Sequence, residues 1–287
     1  MKYIFIVNAV AGKGKYKKIL PNIEKVCKEE KREYEIRYIT ETLSGADIAR
    51  QYKDKENIIY VVGGDGTLTR TLPGIVGTKN KLGVIPSGSG NDTYKAIKAL
   101  PKGENLIDLG KINDTYFINV ACFGIDADIA NDSTIIKSKL LKKYKYIFNL
   151  VKHFYKYKNR TFSICLEDKI IKDRFVTVVL CNGRFYGGGF NIGPSAKLNN
   201  GTIDVYMVKD VNKLKMLKLI LLMKNGKHEN NKDIDKYRVK KLVIKAKNNI
   251  KCNIDGEVFE SKKFDIKVVE KKLKIYYNQK MIDSIRG

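Results

Sequence analysis

Histidine is nearly absent from this 287-residue chain: His153 and His228 are the only two, and neither has a cysteine or aspartate at a spacing that suits catalysis or metal binding. Histidine-based chemistry is therefore not expected. Five cysteines (Cys27, Cys122, Cys165, Cys181 and Cys252) are scattered without a Cys-x-x-Cys pair. Such a set reads as reduced thiols rather than zinc ligands or disulfides. No apolar run approaches about 18 residues, so no bilayer-spanning helix is expected. Met1-Lys2 leads directly into an apolar strand and not into a long leader core, so a secretory signal is not expected. The P-loop spacing Gly-x4-Gly-Lys-Ser/Thr is missing, as are internal repeats and low-complexity linkers.

Acidic residues are also scarce. Against 56 Lys+Arg there are 31 Asp+Glu, a formal net charge of +25. An excess of that size calls for an anionic partner or a broadly solvated lysine surface. Nucleic acid is the weaker partner, because zinc-finger spacing, an RNP-like aromatic motif and basic-region heptads are all missing. An anionic membrane surface fits better, each basic residue close to it contributing roughly 1 kcal/mol. Two segments suit that role. Residues 137–158 interleave lysines with Leu140, Leu141, Tyr144, Ile147, Phe148, Val151, Phe154 and Tyr155 at helical spacing, and residues 214–223 cluster leucines between Lys215, Lys218 and Lys224. Packing against a core is the alternative for both.

Apolar residues make up 43% of the chain, enough to bury real cores, and the length allows two domains. Residues 1–109 alternate strand and helix: a strand at 3–7, a helix over 15–31, a strand near 35–39 and a helix opened by Ser44-Gly-Ala-Asp47 as a capping box. From 110 to 277 the pattern changes to short alternating strands, at 116–121, 161–166, 174–181, 202–208, 241–247, 251–254 and 272–277. The expectation is an α/β protein: a Rossmann-like N-terminal domain over 1–109 and a mainly antiparallel β-sandwich over 110–277, with residues 278–287 returning to the first domain.

Three strand ends in the first domain carry glycine-rich loops. Ile58-Ile-Tyr-Val-Val62 runs into Gly63-Gly-Asp-Gly-Thr67, Leu82-Gly-Val-Ile85 into Pro86-Ser-Gly-Ser-Gly-Asn-Asp92, and the first strand into Asn8-Ala-Val-Ala-Gly-Lys-Gly-Lys15. Glycine lets the backbone approach a ligand closely, a helix opened near Thr67 presents amides to a phosphate, and Asn91 and Asp92 can cap the next helix. In an open α/β sheet such loops converge at the carboxyl edge, where ligands bind. One loop alone is as well explained by a tight strand-to-helix turn; three together point to a nucleotide site.

These residues resemble the diacylglycerol kinase catalytic family, in particular its soluble bacterial lipid kinases. Asn8 to Gly12 is similar to the family's Asn-Pro-x-x-Gly loop, with Ala9 in place of proline. Residues 63–67 and 86–92 are similar to its nucleotide motifs. Asn119-Val-Ala-Cys-Phe-Gly-Ile-Asp-Ala127, Tyr186-Gly-Gly-Gly189, Gly193-Pro-Ser-Ala196 and Asp255-Gly-Glu257 follow in the family's order, so the resemblance covers nearly the whole chain. Two further departures stand out. Arg70 occupies the place of a family glutamate, and Asn200 that of an aspartate that helps hold a structural magnesium ion, which the resemblance would surround with Lys197, Asn200 and Thr202.

The resemblance implies an ATP-dependent lipid kinase acting on diacylglycerol or a related lipid. It would be cytoplasmic and peripheral at the inner membrane face; a homo-oligomer is left open. Asn8, Gly12, Lys13, Gly63, Gly64, Gly66, Thr67, Ser87 and Asn91 are the expected phosphate-binding set, and the resemblance adds Thr40 and Ser89 as nucleotide contacts. Asp65 is the candidate for organising nucleotide-bound Mg2+, with Asp92 and Asp108 as weaker members of the same acidic network. The family's proton acceptor carries over to Glu257, with Asp255 beside it. Read without the resemblance, Asp255-Gly256 is equally a hairpin turn. An NAD kinase shares the Gly-Gly-Asp-Gly loop, and a regulatory protein that has lost catalysis is the rival of another class.

Overall fold

The computed structural model describes residues 1–9, 14, 16–125, 127 and 160–287. The first half alternates β1 (Tyr3–Val7), α1 (Tyr16–Glu29), β2 (Tyr34–Tyr38), α2 (Gly45–Arg50), β3 (Ile58–Gly63), α3 (Asp65–Thr71), β4 (Lys81–Pro86) and α4 (Asp92–Ile97). The four strands pair in parallel in the order β2–β1–β3–β4. β1, β3 and β4 are buried along their whole length, which is why each reads as an unbroken apolar run rather than an alternation. Ser44 caps α2 as expected, its Oγ accepting from Asp47 N at 3.2 Å. The helix after the Gly-Gly-Asp-Gly loop opens at Asp65, two residues before Thr67, with Gly64 as a cap that offers no side chain.

The second half is built from β5 (Gly103–Ile112), β6 (Thr115–Phe117), β7 (Val120–Gly124), β8 (Arg160–Cys165), β9 (Ile170–Cys181), the short hairpin β10 (Phe185–Tyr186) and β11 (Phe190–Asn191), and β12 (Ile203–Lys209). Then come helix α5 (Lys213–Lys224), β13 (Ile234–Val239), β14 (Lys241–Ile254), β15 (Glu257–Tyr277) and helix α6 (Gln279–Arg286). Pairing within this half is antiparallel. Alternate residues of β7, β9 and β12 feed two different cores. Phe123, Val178, Leu180 and Val205 join Phe162, Phe175, Ile244 and Phe264 between the β layers. Cys122, Val179, Cys181 and Tyr206 face Met216, Leu219, Ile220 and Met223 of α5. The expected amphipathic segment at 137–158 lies outside the described residues, as do Gly12, Lys13, Lys15 and Asp126.

Several expected strand boundaries differ: the strand expected at 116–121 is divided between β6 and β7, and that at 174–181 starts four residues earlier, at Ile170. The strands at 241–247 and 251–254 are one strand, β14, whose register against β15 shifts between Lys245 and Ile250. The expected strand at 272–277 is the end of the 21-residue β15, which starts at Glu257. β15 runs from one half of the molecule into the other. Residues 257–267 pair with β14, residues 266–277 with β5, and Ile275 lies parallel to Leu82 of β4. One continuous sheet path therefore joins the parallel and antiparallel halves.

Beyond β15, α6 lies against α1, where Asn22 Nδ2 donates to the Ile285 carbonyl at 3.1 Å. Met281 and Ile285 complete the core of Tyr3, Phe5, Ile23 and Tyr60. Tyr60 stacks on Phe5 at 5.1 Å between ring centroids and donates its hydroxyl to Met281 Sδ at 3.1 Å. Across the β3–β4 pair Gly83 lies beside Tyr60, and a Cβ added there would fall 2.3 Å from Tyr60 Cδ1. Gly83→Ala is expected to push that ring out of its stack and cost about 1–3 kcal/mol, read as a lower urea midpoint; an unchanged midpoint would show that the ring relaxes freely.

Candidate active site

The glycine-rich loops meet at the carboxyl edge of the parallel sheet, and the first thing they touch is each other. A Cβ on Gly88 would fall 2.5 Å from Gly64 Cα, and one on Gly63 would fall 2.6 Å from Thr67 Cβ. These glycines serve loop-on-loop packing as directly as ligand approach. Asn8, at the end of β1, donates from Nδ2 to Thr67 Oγ1 at 3.0 Å, tying the first loop to the second. Ser87 is buried and donates its N–H to the Gly63 carbonyl at 2.9 Å. Thr40, just past β2, is exposed and closes a local turn with Leu43, and Ser89 is exposed on its loop.

Asn91 and Asp65 differ from the expected capping pattern. Asn91 stands at the cap position of α4 in the left-handed region (φ 53°), but its side chain makes no cap bond. It braces its own loop instead, accepting from Gly88 N at 3.1 Å and donating to the Gly88 carbonyl at 3.0 Å. The cap comes from Asp65, whose two oxygens accept from Asp92 N and Thr93 N at 3.1 and 3.0 Å. Asp92 in turn accepts from Lys95 Nζ at 2.8 Å and, across the cleft, from Gly188 N at 2.7 Å. Gly188 lies in the Tyr186-Gly-Gly-Gly189 segment between β10 and β11. A Cβ on Gly90 would stand 3.1 Å from Asp65 Oδ2 and 3.8 Å from Asp92 Oδ2, so both carboxylates border the same glycine.

Opposite these loops, Asp255-Gly256 forms the two-residue turn between β14 and β15, with φ of 45° and 98° and Ile254 paired to Glu257. Positive φ at both residues is the geometry that Asp-Gly favours in hairpins. The Asp255 carboxylate is buried and accepts four N–H contacts, from Ile118 at 2.7 Å, Val120 at 2.8 Å and Asn119 at 3.2 Å to each oxygen. Burial pushes this carboxyl up to about 6 against the pull of those donors, and the nearby charge of Asp65 adds to the rise. Asp255 thus anchors the turn, and Glu257 is the carboxylate that reaches the cleft. Glu257 Oε1 would stand 3.4 Å from a Cβ on Gly66, directly over the Gly-Asp-Gly loop.

Arg70, the chain's departure at a family glutamate, donates from Nε to Glu257 Oε1 at 2.9 Å. Nothing in the sequence announced that pair, nor the part played by Lys95. The one available signal for Lys95 was its i,i+3 spacing from Asp92 on a short helix.

The remaining candidates lie elsewhere. Asp108 is buried apart from the Asp65 carboxylate and accepts from Gly201 N at 2.7 Å and Lys271 N at 2.8 Å, which folds the 197–202 loop onto β15. In that loop Asn200 Oδ1 accepts from Thr202 N at 3.2 Å, Lys197 is exposed, and Thr202 Oγ1 is buried without a partner. Asn200 brings no charge and Asp108 is the single carboxylate bonded to the loop, so its donor set is poor for a divalent cation. Asp65 and Asp92 fit such an ion better, as two neighbouring hard-oxygen carboxylates beside Gly90, each of which would exchange a hydrogen bond for the ion. Among the described residues no three acidic, cysteine or histidine side chains gather as a metal cluster. His228 is buried away from the cleft, one ring nitrogen 3.0 Å from the Ile192 carbonyl, and burial lowers its pKa.

With this geometry in hand, comparison with known proteins gives a consistent result. Residues 2–116 match the diacylglycerol kinase catalytic domain, and residues 119–277 match the YegS C-terminal NAD kinase beta sandwich-like domain. Among relatives, a diacylglycerol kinase of Staphylococcus saprophyticus is 25% identical over 88% of this chain and 87% of its own, and one of Staphylococcus epidermidis is 26% identical over 88% and 84%. Two solved structures from Bacillus anthracis str. Sterne share the fold. One aligns with a TM-score of 0.78 at 22% identity, covering 98% of this chain and 96% of that one. The other, a diacylglycerol kinase, aligns with a TM-score of 0.71 at 20% identity and covers 98% of each.

The anchoring role of Asp255 has a direct consequence. Asp255→Asn replaces one acceptor by an NH2 group that faces backbone N–H donors, and is expected to cost about 1–3 kcal/mol. Glu257→Gln, at a half-exposed position, is expected to leave the urea midpoint within error. Equal midpoints for Asp255→Asn and the unmodified protein would remove Asp255 from this role.

Proposed function

The chain belongs to the diacylglycerol kinase family, and from that premise we propose that it transfers the γ-phosphate of ATP to a lipid hydroxyl, that of diacylglycerol, to give phosphatidic acid. Phosphotransfer to an alcohol is the chemistry of this family. The observation that carries the reading is the placement of Glu257 over Gly66 while Asp65 and Asp92 flank Gly90, so that a candidate base and a candidate acidic pair face one glycine-rich edge.

In this reading the loops bearing Asn8, Gly12 and Lys13, Gly63, Gly64, Gly66 and Thr67, and Ser87, Ser89 and Asn91 hold the triphosphate, and Thr40 borders the nucleotide. Asp65 and Asp92 would hold Mg2+, which when bound neutralises the phosphates and the charge that develops on transfer. Glu257 accepts the proton of the acceptor hydroxyl as its oxygen bonds to the γ-phosphorus. The bond from that phosphorus to the bridging oxygen breaks, and ADP departs with the electron pair. Asp255 acts on this step by fixing the turn that carries Glu257.

Among the described residues no helix is long and apolar enough to cross a membrane. In this reading the lipid is met peripherally, at an anionic surface on the cytoplasmic side, which the net charge of +25 suits. A second reading has one observation in its favour: Glu257 Oε1 is bonded to Arg70, so its proton-accepting edge is partly occupied. It would make the protein a nucleotide- and membrane-binding member that does not turn over.

Incubation with γ-labelled ATP, magnesium and diacylglycerol in mixed micelles, with NAD as a parallel acceptor, separates these readings. Label is expected in the lipid alone, falling by about 10²–10⁴-fold in Glu257→Gln and comparably in Asp65→Asn. Full activity in Glu257→Gln would overturn the assignment of the base. Nucleotide binding without any labelled lipid would favour the second reading, and labelled NAD would favour neither.

A further inference from the structure

Helix α5 is apolar on two opposite faces. Met216, Leu219, Ile220 and Met223 are buried against the outer side of β9 and β12. Leu214, Leu217 and Leu221 point the other way and are 82%, 39% and 52% exposed. At 100° per residue these three fall within one narrow stripe along the helix. A helix whose core face is already filled gains nothing in water from a second leucine stripe; such a stripe marks an interaction surface. The residues around it are basic. Lys218 and Lys215 flank it on one side and Lys224 on the other, with Lys215 also 3.4 Å from Asp233. No acidic residue occurs between Lys213 and Lys224.

We propose that this stripe is the membrane-docking surface of the protein, and that its occupant is an anionic phospholipid bilayer. Leucines entering the headgroup boundary, flanked by lysines beside lipid phosphates, are the arrangement of an interfacial helix. Charge decides against a second copy of the chain. Two stripes packed face to face would bring like-charged lysines together on a protein already at +25, whereas an anionic surface neutralises them. The placement also suits a lipid enzyme. The C-terminal turn of α5 packs on β11, where a Cβ on Gly226 would meet Asn191 Nδ2 at 2.5 Å, and the β10–β11 connection reaches Asp92 through Gly188. Docking by α5 thus holds close to the bilayer, behind the helix, the hairpin that borders the candidate site. This link to catalysis rests on the lipid-kinase reading; the docking surface does not.

The test is flotation of the full-length protein with phosphatidylcholine vesicles, with and without phosphatidylglycerol, at low and high salt. The unmodified protein is expected to float with the anionic vesicles only, and less at high salt. The triple variant Leu214→Ser, Leu217→Ser, Leu221→Ser should bind them at least about tenfold more weakly with an unchanged thermal midpoint. Lys218→Glu with Lys224→Glu should do the same without touching the leucines. Undiminished flotation of the two variants would overturn the proposal. So would a dimer of the unmodified protein that the triple variant dissolves without change in vesicle binding. In the kinase assay the triple variant should keep the rate on dispersed short-chain diacylglycerol and lose about tenfold on long-chain diacylglycerol in anionic vesicles. An unmodified protein that floats but phosphorylates neither lipid leaves the surface standing and removes the kinase reading.

Discussion

The geometry of the candidate site depends on one buried carboxylate. Asp255 gathers the N–H groups of Ile118, Asn119 and Val120, three consecutive residues at the junction of β6 and β7, onto a turn more than a hundred residues later in the chain. A buried carboxylate without donors would be costly, and three backbone N–H groups without an acceptor equally so; together they satisfy one another. Because Asp255 is the first residue of the turn, fixing it fixes the start of β15. Glu257, two residues on, inherits its position over Gly66 from that clasp. The same strand then continues through its pairing with β5 to β4, so a displacement of the turn would be felt along the path that joins the two halves.

Among the described residues, the polar contacts that join the glycine-rich loops and α3 to the second half differ in kind. Gly188 N to Asp92 and Thr69 Oγ1 to the Asp255 carbonyl involve a backbone group on one side, whereas Arg70 and Glu257 join two side chains. Arg70 is well exposed, so this ion pair is screened and exchanges readily with water. It holds Glu257 in place without binding it tightly. A glutamate at position 70 would instead set two carboxylates against each other across the same gap. Arginine at this position makes the contact a paired one, and its partner Glu257 is what the sequence left unseen.

Much of the fold could be read from residue types because local chemistry and burial agreed. Doubly buried parallel strands gave unbroken apolar runs, Ser44 and Asp47 stood at cap spacing, and Asp255-Gly256 had the composition of its turn. The 21-residue extent of β15 was hidden by its many lysines and glutamates, which blur the alternation where the strand faces water, and the shift in β14 broke the pattern again. At the site, the loops were visible through their glycines and the acidic residues through their motifs. Which partner each acid would find was not. Asp65 caps α4 rather than standing free, Asp108 serves a different loop from Asp65, and Arg70 meets a residue 187 positions away. Those pairings are tertiary, and neither spacing nor propensity encodes them.

The acids beside Gly90 pose an electrostatic problem whose resolution bears on the proposed chemistry. Asp65 and Asp92 border Gly90, and among the described residues Lys95 is the cation bonded to either. A triphosphate brought to these loops would meet one carboxylate that is matched and one that, among the described residues, is offset by the N–H groups of a helix terminus, a partial compensation. Approach of several phosphate charges to that pair is repulsive unless a further cation lies between them. On the proposed reading, then, nucleotide and divalent ion bind as a unit, each unfavourable at this edge without the other. A lysine ammonium could not replace that ion, because it cannot bridge carboxylate and phosphate oxygens as a six-coordinate cation does. On that reading, a need for a divalent cation follows from where Asp65 and Asp92 stand.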